Sequence, residues 1–335
     1  MKKPVVPVTV GGTVSQLVRK MGGTAFQGRN LARGVDIWSS MLEADVTIFM
    51  GLAGAMIPAG MRQVMVYLIE KRLIDCLVST GANLFHDLHE TLGRPHYQGS
   101  ADADDRQLAK SKTYRIYDVL ASEEEFDSTE QFVTDFSQRL DPDHAYTTRE
   151  FFFLLGSELA REGGEDGILS AAARANVPIY CPAIGDSVYG TGLATALVKR
   201  GRHVVFDVIA DIVEMVHIAC AAGSTGVIYI GGGTPKNFIQ QVALCGHLFD
   251  KVLKGHEYAI QVTTDSPQWG GLSGCTFDEA RSWRKVTPDA ATVTVHCDAT
   301  IALPLMVSAV AERVGKTLPE RKKPSFRLDR DLTVL

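Results

Sequence analysis

The sequence lacks two features that would assign it to a class directly. No apolar run reaches the roughly 20 residues that cross a membrane, and no long run of Lys and Arg is present. With a formal net charge of −5, the chain shows no concentrated positive surface for nucleic acid. We therefore expect neither a membrane nor a nucleic acid as a partner.

Paired cysteines and a leader-like segment are absent as well. The six cysteines contain no CxxC pair, which favours free thiols in a reducing compartment over disulfides or a metal site. Residues 1–10 hold two prolines and no apolar core of the kind found in secretory leaders. We expect a cytoplasmic protein without a bound metal.

What the sequence does contain is an alternation of short apolar runs and longer helical patterns. Hydrophobic residues make up 45% and charged residues 22%, as in ordinary globular proteins. The patterns predict strands at 46–50, 74–78, 178–181, 203–206, 227–230, 259–262 and 292–295. They predict helices at 58–73, 121–140, 147–161, 207–222 and 299–314.

This alternation predicts an α/β fold with a doubly wound parallel sheet. Apolar runs without clean alternation suit strands covered on both faces, and intervening helices supply the crossovers. We expect one domain over residues 1–335, with peripheral terminal segments at 1–24 and 316–335. The polar stretch 98–111 is expected to be an irregular surface excursion.

Small residues follow three of the predicted strands, at 51–54, 79–83 and 231–237. In open parallel sheets ligands bind beyond the carboxyl ends of the strands, so these segments are candidates for a shared nucleotide site. Ordinary strand-to-helix turns look similar, and no segment matches GxGxxG, so the glycines alone leave both interpretations open.

The segment 265–285, DSPQWGGLSGCTFDEARSWRK, is the most unusual part of the chain. A helix would place Glu279 and Trp283 on one face, where a carboxylate and an indole together bind an alkylammonium group. Lys285, beside Arg284 and the indole, would be a nucleophile able to form a Schiff base. A surface pair of basic residues would look the same from spacing alone.

These motifs resemble the deoxyhypusine synthase family. The resemblance rests on GGG at 231–233, DEARSWRK at 278–285 and CDAT-x3-PL at 297–305. Related segments lie at 26–38, 49–62, 78–83 and 181–187, so the similarity covers roughly residues 25–315. The Ser-Trp-x-Lys element followed by Asp-Ala is its most specific part.

The resemblance implies a Rossmann-like fold, NAD as the cofactor and spermidine or a related polyamine as the substrate. Such enzymes are transferases that pass an aminobutyl group through a lysine imine to an acceptor amine. In deoxyhypusine synthases the acceptor is a lysine of translation initiation factor 5A, and in homospermidine synthases it is putrescine. The family also implies a homotetramer, with sites at a dimer interface.

By the same resemblance, Lys285 is the imine-forming lysine, Trp283 lies along the polyamine and Glu279 binds an ammonium group. Candidate cofactor-binding residues come from the strand ends and the later loops: Ser79, Thr80, Gly81, Asp186, Gly231, Gly232, Thr264, Gly271, Ser273, Asp298 and Ala299.

The amine pocket departs from the pattern of eukaryotic members. They have histidine, tyrosine and glutamate where this chain has three further substrate-site candidates, Asn237, Gln261 and His86. They have carboxylates where it has Thr191 and Leu272. We expect a divergent branch with an altered amine preference. A homospermidine-type synthase, a plain NAD-dependent dehydrogenase or deacylase, and a non-catalytic NAD- or polyamine-binding protein remain alternatives.

Overall fold

The computed structural model describes residues 3–163, 166–271, 274–315 and 317–335. Its strands are β1 (Thr47–Leu52), β2 (Cys76–Ser79), β3 (Tyr97–Gln98), β4 (Thr113–Ile116), β5 (Val119–Ser122), β6 (Ala145–Tyr146), β7 (Ile179–Tyr180), β8 (Val205–Phe206), β9 (Thr225–Ile230), β10 (His256–Thr263), β11 (Val286–His296), β12 (Phe326–Arg327) and β13 (Thr333–Val334).

Its helices are α1 (Val14–Met21), α2 (Phe26–Glu43), α3 (Arg62–Glu70), α4 (Gly81–Thr91), α5 (Asp105–Lys110), α6 (Glu123–Ser137), α7 (Thr148–Glu162), α8 (Ile168–Ala175), α9 (Val188–Arg200), α10 (Val208–Ala221), α11 (Gly233–Val242), α12 (Phe277–Ser282) and α13 (Ala299–Val314). None of the helices in the described ranges is long and apolar enough to cross a membrane.

The central sheet has six strands in the order β11-β10-β9-β1-β2-β7, and every neighbouring pair is parallel. Strand β1 lies in the middle, with Leu52 paired to Ser79 on one side and to Ile230 on the other. The predicted parallel α/β sheet is confirmed.

Successive side chains of β1 enter two different hydrophobic cores. Ile48, Met50 and Leu52 pack in one core with residues of α2 and α13, whereas Phe49 belongs to a second core with residues of α10 and α11. Helices therefore cover both faces of the sheet, which is why the strand sequences are apolar without alternation.

Two sequence-based predictions about secondary structure were wrong. The strand expected at 203–206 is reduced to β8, which pairs with β6 outside the central sheet. It follows the left-handed turn at Gly201 and is partly exposed, so it never reaches the buried sheet. The stretch 98–111 is not irregular throughout, because it contains α5 beside the antiparallel β3-β5-β4 sheet.

The terminal segments were expected to be peripheral; residues 3–13 are exposed, but parts of both segments are buried. Helix α1 is capped by Thr13 and buries Val18 completely. In the C-terminal segment, Phe326 and Leu328 are buried and Arg321 is 7% exposed. Arg321 is buried because it binds a buried carboxylate.

That carboxylate belongs to Asp75, which is fully buried at the start of β2. Arg321 donates to both of its oxygens, from Nη1 at 3.0 Å and from Nη2 at 2.5 Å. Arg72 and the backbone N–H of Ile48 donate to the same carboxylate at 3.1 and 2.9 Å. This bidentate pair fastens the C-terminal segment to the amino ends of β1 and β2.

Removing Arg321 should therefore destabilise the fold strongly. In Arg321→Met the buried Asp75 carboxylate keeps its hydrogen bonds from Arg72 and Ile48 but loses both from Arg321. We expect a loss of about 3 kcal/mol in the free energy of unfolding. Urea denaturation measures this loss. The control is Arg327→Met, because Arg327 forms an exposed ion pair with Asp329 and should contribute at most about 0.5 kcal/mol. Equal effects of the two substitutions would contradict the anchoring role.

Three histidines pack together where α4 meets α6. His86 Nδ1 lies 2.8 Å from His96 Nε2, and His96 Nδ1 lies 2.7 Å from Glu90 Oε1. His89 is fully buried, with Nδ1 2.9 Å from the hydroxyl of Thr129. Burial lowers the pKa of His86 and of His89 to about 3, and the neighbouring His96 adds to both shifts.

Acidification should weaken the fold through this cluster. Because the ordinary pKa is 6.5, the unfolded chain binds more protons than the folded chain between about pH 3 and pH 6.5, so stability falls as pH decreases. We expect a loss of about 2–4 kcal/mol in the free energy of unfolding from about pH 7.5 to about pH 5. His89→Gln should reduce the loss measured by urea denaturation, whereas His203→Gln, at an exposed position, should not. A pH dependence that is the same in both variants would exclude this cluster as the cause.

Candidate active site

The glycine-bearing strand ends meet at one edge of the sheet, as predicted. A cavity of about 600 Å³ lies there, bordered by Gly54 after β1, Thr80 after β2 and Gly231 after β9. Thr264 and Asp265 after β10 and Asp298 after β11 complete its rim. The cavity is therefore built from the carboxyl ends of adjacent parallel strands, where this fold class binds nucleotides.

Three helices begin at this cavity. Thr80 caps α4 with its side chain, Gly232 precedes α11, and Asp298 caps α13 by accepting from Thr300 N at 2.7 Å. Backbone N–H groups and the helix dipoles make these ends favourable for an anion such as a pyrophosphate.

Glycine is required at position 231. Its φ of +72° is in the left-handed region, and a Cβ atom there would lie 3.3 Å from the Cβ of Ala53. The chain therefore turns sharply out of β9 with bare backbone facing the cavity. Small residues and helix N-termini together fit a dinucleotide.

Most of the predicted cofactor residues border this cavity, and a few do not. Those that do are Thr80, Asp186, Gly231, Gly232, Thr264, Asp298 and Ala299. Ser79 is instead 1% exposed, and Gly81 packs so closely on Ser187 that a Cβ would lie 2.4 Å from its hydroxyl. Gly271 borders a separate cavity of about 50 Å³. Ser273, like Leu272, lies outside the described residues.

Asp186 and Asp265, the first residue of the loop before α12, border the same cavity within one chain. One chain alone therefore brings these two residues together, and the expected site at a dimer interface stays a prediction.

The lysine segment is organised by a capped, six-residue helix. Thr276 and Glu279 form a capping box at the start of α12, and the helix ends at Ser282, with Trp283 as its C-cap. Arg284 then adopts a left-handed conformation with φ of +58°, and the N–H of Lys285 donates to the carbonyl of Ala280 at 2.9 Å. This turn presents Lys285 directly before β11.

Lys285 and Trp283 lie together, as expected. Lys285 Nζ is 5.5 Å from the centre of the Trp283 ring, within cation–π range. The indole is 63% exposed, so a flat apolar surface is available beside the amine. Glu279 is also exposed, and its hydrogen bonds with Thr276 and the nearby Lys236 lower the pKa of its carboxyl group.

Lys236 is the functional candidate that we missed in the sequence. It is 3% exposed, and its ammonium group donates to Gln261 Oε1 at 2.9 Å and to the carbonyl of Cys275 at 2.6 Å. Burial is the main cause that lowers the pKa of Lys236 to about 8; nearby Lys285 lowers it further, while Cys275 and Glu279 oppose the shift. The available signal was helical spacing, which places Lys236 on the same face of α11 as Ile239 and Gln240, both of which are buried.

The three residues proposed for an altered amine pocket separate in the structure. Asn237 is exposed on α11 and donates to Gln241. Gln261 is 3% exposed, it borders the cavity of about 50 Å³, and both ends of its carboxamide bind protein groups. His86 belongs to the histidine cluster and is not among the residues that border either of the two cavities described.

Comparisons with known proteins agree with this architecture. A model of the deoxyhypusine synthase family matches residues 16–310. A probable deoxyhypusine synthase 2 of Methanosarcina mazei is 52% identical over 329 residues, covering 97% of this chain and 94% of that protein. A deoxyhypusine synthase-like protein of Coxiella burnetii is 36% identical over 302 residues, covering 89% of this chain and 85% of that protein.

One solved structure, described as a deoxyhypusine synthase of Entamoeba histolytica, superposes with a TM-score of 0.63 at 19% identity, covering 89% of this chain and 93% of that one. At that identity the likeness shows the fold alone. The family model and the curated relatives extend over most of the sequence and include the lysine segment. The chain therefore belongs to the deoxyhypusine synthase family.

Proposed function

We propose that this enzyme uses NAD to transfer an aminobutyl group from spermidine, or a related polyamine, to an acceptor amine through an imine on Lys285. The observation that carries the proposal is the pairing of Lys285 with the exposed Trp283 ring, at 5.5 Å. The segment that bears them is joined through Lys236 and Gln261 to Gly231 of the glycine-lined cavity. A lysine amine and a cavity able to hold a dinucleotide are what such a transfer requires.

The cavity supports NAD as the cofactor. Backbone at Gly232 and the start of α4 would hold the pyrophosphate, and Asp186 and Asp298 offer acceptors for ribose hydroxyls. When bound, NAD would accept a hydride from the carbon that bears the amine and return it at the end of the reaction.

The side chains would then handle the amine and its carbon. Trp283 covers the alkyl chain and attracts its ammonium group, and Glu279 supplies a negative charge on the same helix. The Lys285 amine attacks the oxidised carbon, a new carbon–nitrogen bond forms, and the original amine leaves as a neutral amine after proton transfer. The acceptor amine then attacks the same carbon. A bond between that carbon and the acceptor nitrogen forms, the bond to Lys285 breaks, and Lys285 is released as a free amine.

Two neighbouring ammonium groups suit this chemistry. Lys236 is held as a donor by two carbonyl oxygens, and it lies close enough to Lys285 for the charge on Lys285 to lower the pKa of Lys236. The charge on Lys285 disfavours protonation of Lys236, in addition to the effect of burial. The buried Lys236 is therefore proposed as part of the lysine site.

The acceptor and the assembly are also proposals. The acceptor is either a protein lysine or a small amine such as putrescine, the latter being a homospermidine-type reaction. We propose a homo-oligomer, tetrameric as the family resemblance implies. A plain dehydrogenase would consume NAD, and a non-catalytic binder would have no use for Lys285.

The NAD balance separates these functions. In a mixture of protein, NAD, spermidine and an amine acceptor, we expect a new aminobutylated product with no net loss of NAD, because the hydride is returned. Mass spectrometry of products and absorbance of the reduced cofactor measure both quantities, with putrescine and a candidate acceptor protein in parallel. Accumulation of reduced cofactor in proportion to product would instead indicate a dehydrogenase.

Substitution of Lys285 tests the covalent step. Borohydride added during turnover should trap a butylamine adduct on Lys285 in the wild-type protein. Lys285→Arg keeps the charge, but its guanidinium stays protonated and is a poor nucleophile, so we expect loss of the adduct and a fall in transfer of at least about a thousandfold. Peptide mass spectrometry locates the adduct.

The matched control is Lys254→Arg at an exposed lysine of the loop before β10, which should leave transfer unchanged. NAD binding, measured by calorimetry, should survive in Lys285→Arg because glycines and helix ends form the cofactor cavity. An adduct on Lys236, or full transfer by Lys285→Arg, would overturn the assignment of Lys285.

A further inference from the structure

We propose that Gln261 is a positioning residue that joins the lysine segment to the glycine loop of the cofactor cavity. Its carboxamide oxygen accepts from Lys236 Nζ at 2.9 Å, and its NH₂ group donates to the carbonyl of Gly231 at 2.9 Å. The inference rests on the proposed function, because it assigns Gln261 a role between the two halves of that site.

The link continues into the loop that precedes α12. Lys236 Nζ also donates to the carbonyl of Cys275 at 2.6 Å, one residue before the Thr276 cap. The path Gly231–Gln261–Lys236–Cys275 thus connects the turn after β9 to the helix that carries Glu279 and precedes Lys285.

Burial makes this link stiff. Gln261 and Lys236 are each 3% exposed, so their hydrogen bonds form where water competes little. The Lys236 ammonium lies 5.9 Å from the Tyr229 ring centre and 5.7 Å from that of Phe277, which holds it between β9 and α12. A charged group fixed in this way transmits the position of one loop to the other.

A carboxamide suits the role because its acceptor and donor are different atoms. The oxygen serves the ammonium group while the nitrogen serves the carbonyl, so one side chain bridges two fixed groups. Glutamate at the same position would keep the Lys236 contact as an ion pair but could not, when ionised, donate to Gly231. Leucine would remove both contacts at similar volume.

The test distinguishes the contact of Gln261 with Lys236 from its contact with Gly231. The readouts are NAD affinity by calorimetry and the rate at which iodoacetamide alkylates Cys275, followed by peptide mass spectrometry. Gln261→Leu should weaken NAD binding and speed alkylation of Cys275, each by about tenfold, because hydrogen bonds to a charged group and to the glycine turn are lost. Gln261→Glu should weaken NAD binding while leaving Cys275 protected.

Gln241→Leu, at an exposed glutamine of the same α11, is the matched control and should change neither readout. If Gln261→Leu does not fold, Gln261→Glu still decides the matter through its split effect. Unchanged NAD affinity in Gln261→Glu, or faster Cys275 alkylation in that variant, would overturn the proposal.

Failure of the proposed function would appear differently. A wild-type protein that binds no NAD and traps no adduct on Lys285 would remove the transfer reaction. The alkylation rates of Cys275 in the wild type and the Gln261 variants would still report whether Gln261 holds the loop through Lys236. Equal alkylation rates in all of them would exclude that role even in an active enzyme.

Discussion

A parallel sheet directs the carboxyl ends of all its strands to one edge, and the candidate site depends on this constraint. Strand β1 lies between β2 and β9, so the turns at Gly54, Thr80 and Gly231 must meet. Residues far apart in sequence become neighbours without any contact between their side chains. At the opposite edge, the buried ion pair between Asp75 and Arg321 holds the amino ends of β1 and β2. Stability and ligand access are therefore placed at opposite ends of the same strands.

The position of the cavity was predictable because it depends on backbone. A buried strand, a small-residue turn and a helix start leave a readable pattern, and parallel order then places the turns together. Ser79 and Gly81, which flank Thr80, do not border the cavity, because Ser79 is buried and Gly81 packs against Ser187. Periodicity locates a strand end, but it does not tell which of three consecutive residues faces the cavity.

The surroundings of the lysine segment were less predictable, because they depend on side-chain contacts between distant segments. Trp283 and Lys285 are two residues apart, so their contact was accessible from spacing. The contacts of Lys236 with Gln261 and Cys275 span 25 and 39 residues, and no local pattern encodes them. The C-terminal segment was misjudged for the same reason, since its partner Asp75 lies 246 residues away.

The departures of this chain from the eukaryotic pattern can be understood in the same terms. A histidine, a tyrosine and a glutamate are replaced together, at Asn237, Gln261 and His86. Gln261 does not leave a gap, because its carboxamide satisfies both a buried ammonium and the carbonyl of the glycine turn. His86 likewise has a complete set of neighbours in His96 and Phe126. Under the proposed function, Lys285 and Trp283 would carry the chemistry, and Gln261 would support the geometry of the site from within the fold.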